Sequence, residues 1–266
     1  MSFFIKNIVL NQEFRKETND MSILKEYEDS LERDFDIMFR EHAIEFDRLN
    51  YEYAYECAMV DSDLSLMEES EEGTESNKPS GFANFIDKVV KSIGKLITDF
   101  CDMIKNIFNT NEHLTTSDYL SSDTGKIQLE MDMEKIQKNI DRELLEGRKI
   151  IQLISKGTKI PASTIADFTD KCARACKDHG KMIIGTAGAM AIVKGVSSHM
   201  KRAKSQVDDA GEDAKKCADK EGQTSIQRVM SAINKMMNEY TQLSSIVVRN
   251  INKETRKKQK ENKKNN

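Results

Sequence analysis

GFANFIDKVVKSIGKLITDFCDMIKNIFN, residues 81–109, sets Phe82, Phe85, Ile86, Val89, Val90, Ile93, Leu96, Ile97, Phe100, Met103, Ile104, Ile107 and Phe108 at steps of three and four. That spacing collects them on one stripe of an α-helix and leaves the lysines on the other side. The thirteen residues directly before it, ESEEGTESNKPSG when Gly81 is included, carry almost nothing that packs. A polar linker therefore gives way abruptly to a strongly amphipathic helix, and what meets its apolar stripe decides the architecture. We expect a core, with Ile86, Val89, Ile93, Phe100 and Ile104 deepest, because a bare stripe of this size exceeds the few hundred Å² of apolar patch that soluble monomers usually expose. Lys88, Lys91, Lys95 and Lys105 beside the stripe also resemble the polar side of an interfacial membrane helix.

The rest of the 266 residues favour helix as well. There are two prolines, no tryptophan, 38% hydrophobic and 32% charged residues. Straight side chains such as Lys, Glu and Met lose little rotamer freedom in a helix, and helix breakers are scarce. The expected fold is all-α, a helical bundle built from long amphipathic helices.

Net charge divides the chain more sharply than its total of −4 implies. Residues 1–80 carry 8 Lys/Arg against 21 Asp/Glu, a charge of −13, and residues 81–266 carry 33 against 24, or +9. Such a split marks regions with different partners. The five cysteines are odd in number and widely spaced, which fits a reducing compartment. MSFFIKNIVLNQEF at the start is broken by Lys6 and Asn7 and lacks a cleavage site of small residues, so it makes a poor signal peptide. The longest apolar run, Met182 to Val193, spans about 18 Å as a helix and falls short of a bilayer core of about 30 Å. We expect neither a signal peptide nor a transmembrane span.

Further helices follow from periodicity. Ile23, Leu24, Tyr27, Leu31, Phe35, Met38, Phe39, His42, Phe46, Leu49 and Tyr53 make one stripe over residues 22–59, and residues 61–80 form an acidic linker after an N-terminal region of 1–60. Leu129, Met133, Ile136, Ile140, Leu144, Ile151 and Ile154 mark the next helix, with Gly157 near its stop and Pro161 opening another that carries Ile165, Phe168, Cys172 and Cys176. Within 181–206, Gly188 and Ala191 lie near one face with Ala187 and Gly195, a pattern that admits close helix packing. Ile226 to Ile251 keep a near-heptad, coiled-coil-like spacing before a basic tail, residues 253–266, expected to be disordered. The bundle domain is thus expected at 81–252.

Chemistry-bearing motifs are scarce. The chain has no GxxxxGK[ST], GxSxG, HExxH or GxGxxG, and GKMIIGTA keeps the glycine spacing of a P-loop without its Lys and hydroxyl. Cys172, Cys176 and His179 share one helix face, but ordinary zinc spacing is absent and a cysteine on an apolar stripe behaves as a small hydrophobe. Asp61, Asp63, Ser65, Glu69 and Glu72 fall at EF-hand ligand offsets, with Leu66 where that loop requires glycine. We therefore expect no catalytic residue, metal, cofactor or small-molecule substrate. The basic tail offers weak, salt-sensitive contact with nucleic acid.

Leu66-Met67-Glu68, lying between an acidic helix and a new amphipathic start, resembles the propeptide layout of internal head proteins of large tailed phages. In that family a prohead protease cuts after a glutamate that has Leu or Ile two positions earlier, often before a small residue; here Glu69 follows. Leu144-Leu145-Glu146-Gly147 has the same pattern inside an expected helix. The resemblance implies a non-enzymatic structural or assembly protein of the virion, with copies of itself or other structural proteins as partners. Removal of residues 1–68 takes away 7 Lys/Arg and 17 Asp/Glu, a charge of −10, and leaves a chain of +6 suited to packaged DNA. The second reading is a membrane-active helical protein that uses residues 82–108 on a membrane surface.

Overall fold

The computed structural model describes residues 2–67, 81–109, 126–129, 131–177 and 182–265. It is an all-α helical bundle, and the described residues form six helices: α1 (Ser2–Met67), α2 (Gly81–Asn109), α3 (Met133–Ser155), α4 (Ala162–Ala175), α5 (Thr186–Ala214) and α6 (Lys220–Asn265). Two four-residue strands, β1 (Lys126–Leu129) and β2 (Met182–Gly185), pair antiparallel with Lys126 opposite Gly185 and Leu129 opposite Met182.

The chain divides into two compact units, Met1–Arg40 and Glu41–Asn266. In the first, Leu31, Phe35 and Met38 are buried at helical spacing and Phe35 stacks on Phe39 with centroids 6.3 Å apart. The second holds the bundle. The division falls well before the linker expected at 61–80, because Phe46, Leu49 and Tyr53 continue the apolar stripe into the second unit and are buried there. Nor does α1 stop at residue 60. Asp61 to Met67 contain neither glycine nor proline, and the helix runs on to Met67. The remainder of that linker lies outside the described residues.

In the bundle α2 and α3 each pack on both α5 and α6, and α4 packs on α3 and α6. The centre of α6 supplies the deepest wall: Ile226, Val229, Met230, Ile233, Met236, Met237 and Tyr240 are all buried. On α5 the buried residues Ala189, Val193, Val196, Met200, Ala203, Val207, Ala210 and Ala214 alternate steps of four and three throughout, a heptad seam of small and medium side chains. That seam corrects the expectation for Gly188 and Ala191. Gly188 is half-buried and Ala191 exposed, and a Cβ on Gly195 would meet nothing within 4 Å. The close approach occurs instead at Gly211, where a Cβ would lie 2.5 Å from Val90 Cγ2 of α2.

Three other expectations change. Met182 to Gly185 form a strand, not the first turn of a helix, because Ile183 and Ile184 are β-branched and pair with β1. Leu129, read as helical, lies in β1 and is buried, and α3 begins only after Asp132, whose carboxylate accepts from Lys135 N at 3.1 Å as an N-cap. The basic stretch 253–266, expected to be a disordered tail, is helical through Asn265. Lys, Arg, Glu and Gln are good helix formers, and nothing after Gly222 breaks the helix.

One polar knot ties α3 to α5. Asp213 Oδ2 accepts from Arg148 Nε at 3.0 Å and Gln152 Nε2 at 2.8 Å, Oδ1 accepts from Lys216 Nζ at 2.8 Å, and the Asp213 carbonyl accepts from Ser155 Oγ at 2.8 Å. The Lys216 hydrogen bond, with those from Gln152 and Arg148, outweighs burial and holds this carboxyl well below its usual range. Its folded pKa is depressed, so the stability it contributes is present above about pH 3.9 and is lost as pH falls towards the folded value. Asp213→Ala should lower unfolding free energy by about 2 kcal/mol near neutral pH, the scale of hydrogen bonds to a charged group. Urea titrations at neutral pH and below pH 3 should find that difference shrinking in acid.

Candidate assembly face and processing segment

The stripe that opens α2 becomes a packing face. Ile86, Val89, Ile93 and Phe100 are each 0% exposed and Ile104 is 5% exposed, on a helix that packs against α5 and α6. Burying a side chain of this size is worth roughly 1.5–3 kcal/mol, so the five form a main source of the bundle's stability.

A third element covers the same helix. The portion of α1 from Glu41 onward buries His42, Phe46, Leu49 and Tyr53; His42 reaches α2 and α6, and Tyr53 reaches α2. Tyr53 stacks on Phe85 with centroids 4.3 Å apart and 21° between planes, and it meets Phe82 at 5.9 Å. Near the rim, Lys88 Nζ lies 3.4 Å from Glu52 Oε2, an exposed pair of small energetic weight.

His42 joins three helices. Its Nε2 lies 3.0 Å from Asn234 Oδ1 on α6 and its Nδ1 3.3 Å from Ser92 Oγ on α2. These partners fit a neutral ring with the proton on Nε2, donating to Asn234 and accepting from the Ser92 hydroxyl. Burial pushes the imidazole pKa below 6.5, opposed by Asn234 and Glu45 and reinforced by Lys95. A second buried ring shows the same direction. His199 on α5 has Nε2 3.3 Å from Asp141 Oδ1 on α3, Arg202 pairs with the other Asp141 oxygen at 2.6 Å, and the Tyr240 ring meets the imidazole edge-on at 5.2 Å. Burial lowers the His199 pKa more than Asp141 raises it.

Both rings are charged more readily in the unfolded chain. Between the lowered folded pKa and about 6.5 the unfolded state binds more protons, so stability rises with pH there and falls as pH drops from about 6.5. Urea midpoints measured from about pH 8 down to pH 5 should fall, and His42→Gln should flatten the slope. An unchanged slope in both His42→Gln and His199→Gln would contradict this assignment.

Asp141 and Tyr240 flank the His199 ring by charge proximity and edge-on ring contact. His199 is 3% exposed and Tyr240 0%, so in this arrangement the pair braces α3, α5 and α6 against one another. Cys172 and Cys176 are also interior. Burial foremost, with Glu143 beside the first and Glu239 beside the second, pushes both thiols up to about 12, which suppresses the thiolate that a metal or a nucleophilic reaction needs. His179, their expected companion, lies outside the described residues. No group of three metal-ligating side chains occurs among the described residues. Asp61, Asp63 and Ser65 lie on α1, in a helical conformation that an EF-hand loop does not adopt, while Glu69 and Glu72 lie outside the described residues.

Leu66 and Met67 are the last two residues of α1, and Glu68 lies outside the described residues. The competing Leu144-Leu145-Glu146 sits inside α3, where Leu144 is buried and Glu146 pairs with Lys171 at 2.8 Å. The inter-helix polar contacts were beyond reach of periodicity. Ser92, Asn234 and His199 sit on or beside apolar stripes, and polar residues in such places were the one available signal.

No protein-family model, curated protein or solved structure matches the chain. No helix among the described residues is long and apolar enough to cross a membrane.

Proposed function

We propose that the chain is a non-enzymatic structural or assembly protein, an internal head component of a tailed phage whose acidic N-terminal part is removed after Glu68. The observation that carries this reading is Leu66-Met67-Glu68, which has the leucine and the glutamate at the two positions a prohead protease reads. A protease needs an extended segment, and a cut after the competing Glu146 would fall within α3. The charge split supports the same division, since loss of residues 1–68 changes the chain from −4 to +6. A cationic product suits the neighbourhood of packaged nucleic acid.

Burial of the α2 stripe weighs against the membrane alternative, which requires that helix to leave the bundle and give up its contacts with α5 and α6. Mass spectrometry of the protein from its native particle tests the proposal. An N-terminus at Glu69 is the expected result, and a particle-borne chain that retains residues 1–68 would overturn it. Flotation of the intact protein with neutral and anionic vesicles separates the alternative: binding to both would favour the membrane reading.

A further inference from the structure

The second unit contains an α1 segment with two opposite apolar faces. His42, Phe46, Leu49 and Tyr53 face the bundle, and half a turn away Ile44, Tyr51 and Tyr55 are 63%, 73% and 57% exposed. Ala58 is exposed in the same register, and between them Arg48 pairs with Glu52 at 3.5 Å. Large, rigid tyrosines with an arginine are what protein interfaces favour at their centres. Around this stripe the charge is acidic: residues 41–60 carry five carboxylates against one arginine.

From this geometry we infer that the outer face of α1 docks the basic C-terminal end of α6 from a second copy of the chain. Charge complementarity selects that occupant. Residues 253–266 carry seven Lys/Arg against two Asp/Glu, the reverse of the α1 segment. Length agrees too: Ile44 to Ala58 spans about 21 Å of helix and residues 253–265 about 18 Å. An α6 end that folded back onto its own α1 would leave the protein monomeric at low salt, the outcome that overturns the inference below. The contact is head-to-tail, with different surfaces on the two copies, and it propagates into open or ring-shaped assemblies. It rests on the assembly role proposed above and assigns that role an interface in the chain before any cut after Glu68.

Sedimentation of the full-length protein at about 0.1 M and about 1 M salt tests the contact, because the screening length falls from about 10 Å to about 3 Å over that range. The expected result is self-association at low salt that weakens at least about tenfold at high salt, as attraction between opposite charges requires. Two full-length variants should weaken it similarly: Ile44→Ser with Tyr51→Ser, and Lys257→Glu with Lys260→Glu and Lys264→Glu. A third, Glu41→Lys with Glu45→Lys, should fail to associate alone and should associate with the Lys257, Lys260 and Lys264 variant on mixing. Glu41, Ile44 and Tyr51 are exposed and Glu45 is half-buried, and circular dichroism checks that each variant keeps its helix content. A full-length chain that stays monomeric at low salt, or variants that associate as tightly as the parent, would overturn the inference. Neither outcome bears on the N-terminus of the particle-borne protein, so the cleavage proposal stands or falls separately.

Discussion

Ile93→Asp should cost about 3–5 kcal/mol of unfolding free energy, the scale of an uncompensated buried charge. Ile93 is 0% exposed near the middle of α2, with Leu96, Ile97 and Val89 of the same face equally shut off from water. The nearest turns of its own helix offer Val89, Val90, Leu96 and Ile97, so a carboxylate there gains no compensating partner from them. Either it ionises without solvation or it stays protonated and loses its water hydrogen bonds, and both routes are unfavourable. Set against the 5–15 kcal/mol typical of a folded domain, that loss is a large fraction of the total. Urea unfolding followed by helical circular dichroism measures it. A mutant that unfolds at the parent's urea midpoint while losing vesicle or partner binding would show the stripe to be a binding surface instead.

That stripe was legible because thirteen residues repeat one spacing without interruption, and the same holds for the core of α6 from Ile226 to Ile251. Periodicity predicts which face of a helix is buried, and those faces are buried here. It does not identify the neighbour. Helices over 129–154 and 226–251 were the expected cover for α2; α6 and α5 provide it, with α1 adding Tyr53. The small-residue reading failed for a related reason. Gly188, Ala191 and Gly195 share a face, but the steps from Ala189 to Ala214 form a longer and more regular seam, and the longer seam took the core. Close packing is real in this protein. It occurs at Gly211, one residue beyond Ala210 of that seam, where only knowledge of Val90 opposite could have placed it.

Element ends were the least legible feature. The acidic composition after Asp61 resembles a linker, yet composition opposes helix only weakly when glycine and proline are absent, and α1 continues to Met67. The basic stretch after Asn252 shows the same bias towards continuation. Gly157 is the counterexample. It adopts φ +82° just after α3, the left-handed conformation that only glycine enters cheaply, and there the expected stop is found.

Gly147 is a glycine of the opposite kind, and Gly147→Leu should destabilise the bundle by about 3 kcal/mol, the upper end of ordinary overpacking. It sits inside α3 with helical geometry, where glycine lowers helix propensity by roughly 1 kcal/mol relative to alanine, so its presence needs a packing reason. The reason is Phe168 of α4 and Ile233 of α6, whose nearest atoms would stand 2.8 and 3.1 Å from a Cβ at this position. Both neighbours are 0% exposed, so neither ring nor methyl can turn away into solvent. A single methyl already requires movement, and the three further carbons of leucine require α4 to shift on α3 and α6. Phe168→Ala alone should also destabilise, by about 3–5 kcal/mol, through the cavity it leaves. Combined, the two changes should cost much less than their sum, because leucine at 147 points into the space the ring vacates. Additive costs in the double variant would show that Gly147 and Phe168 do not share that space, and would dissolve the packing account of why α3 carries a glycine at its centre.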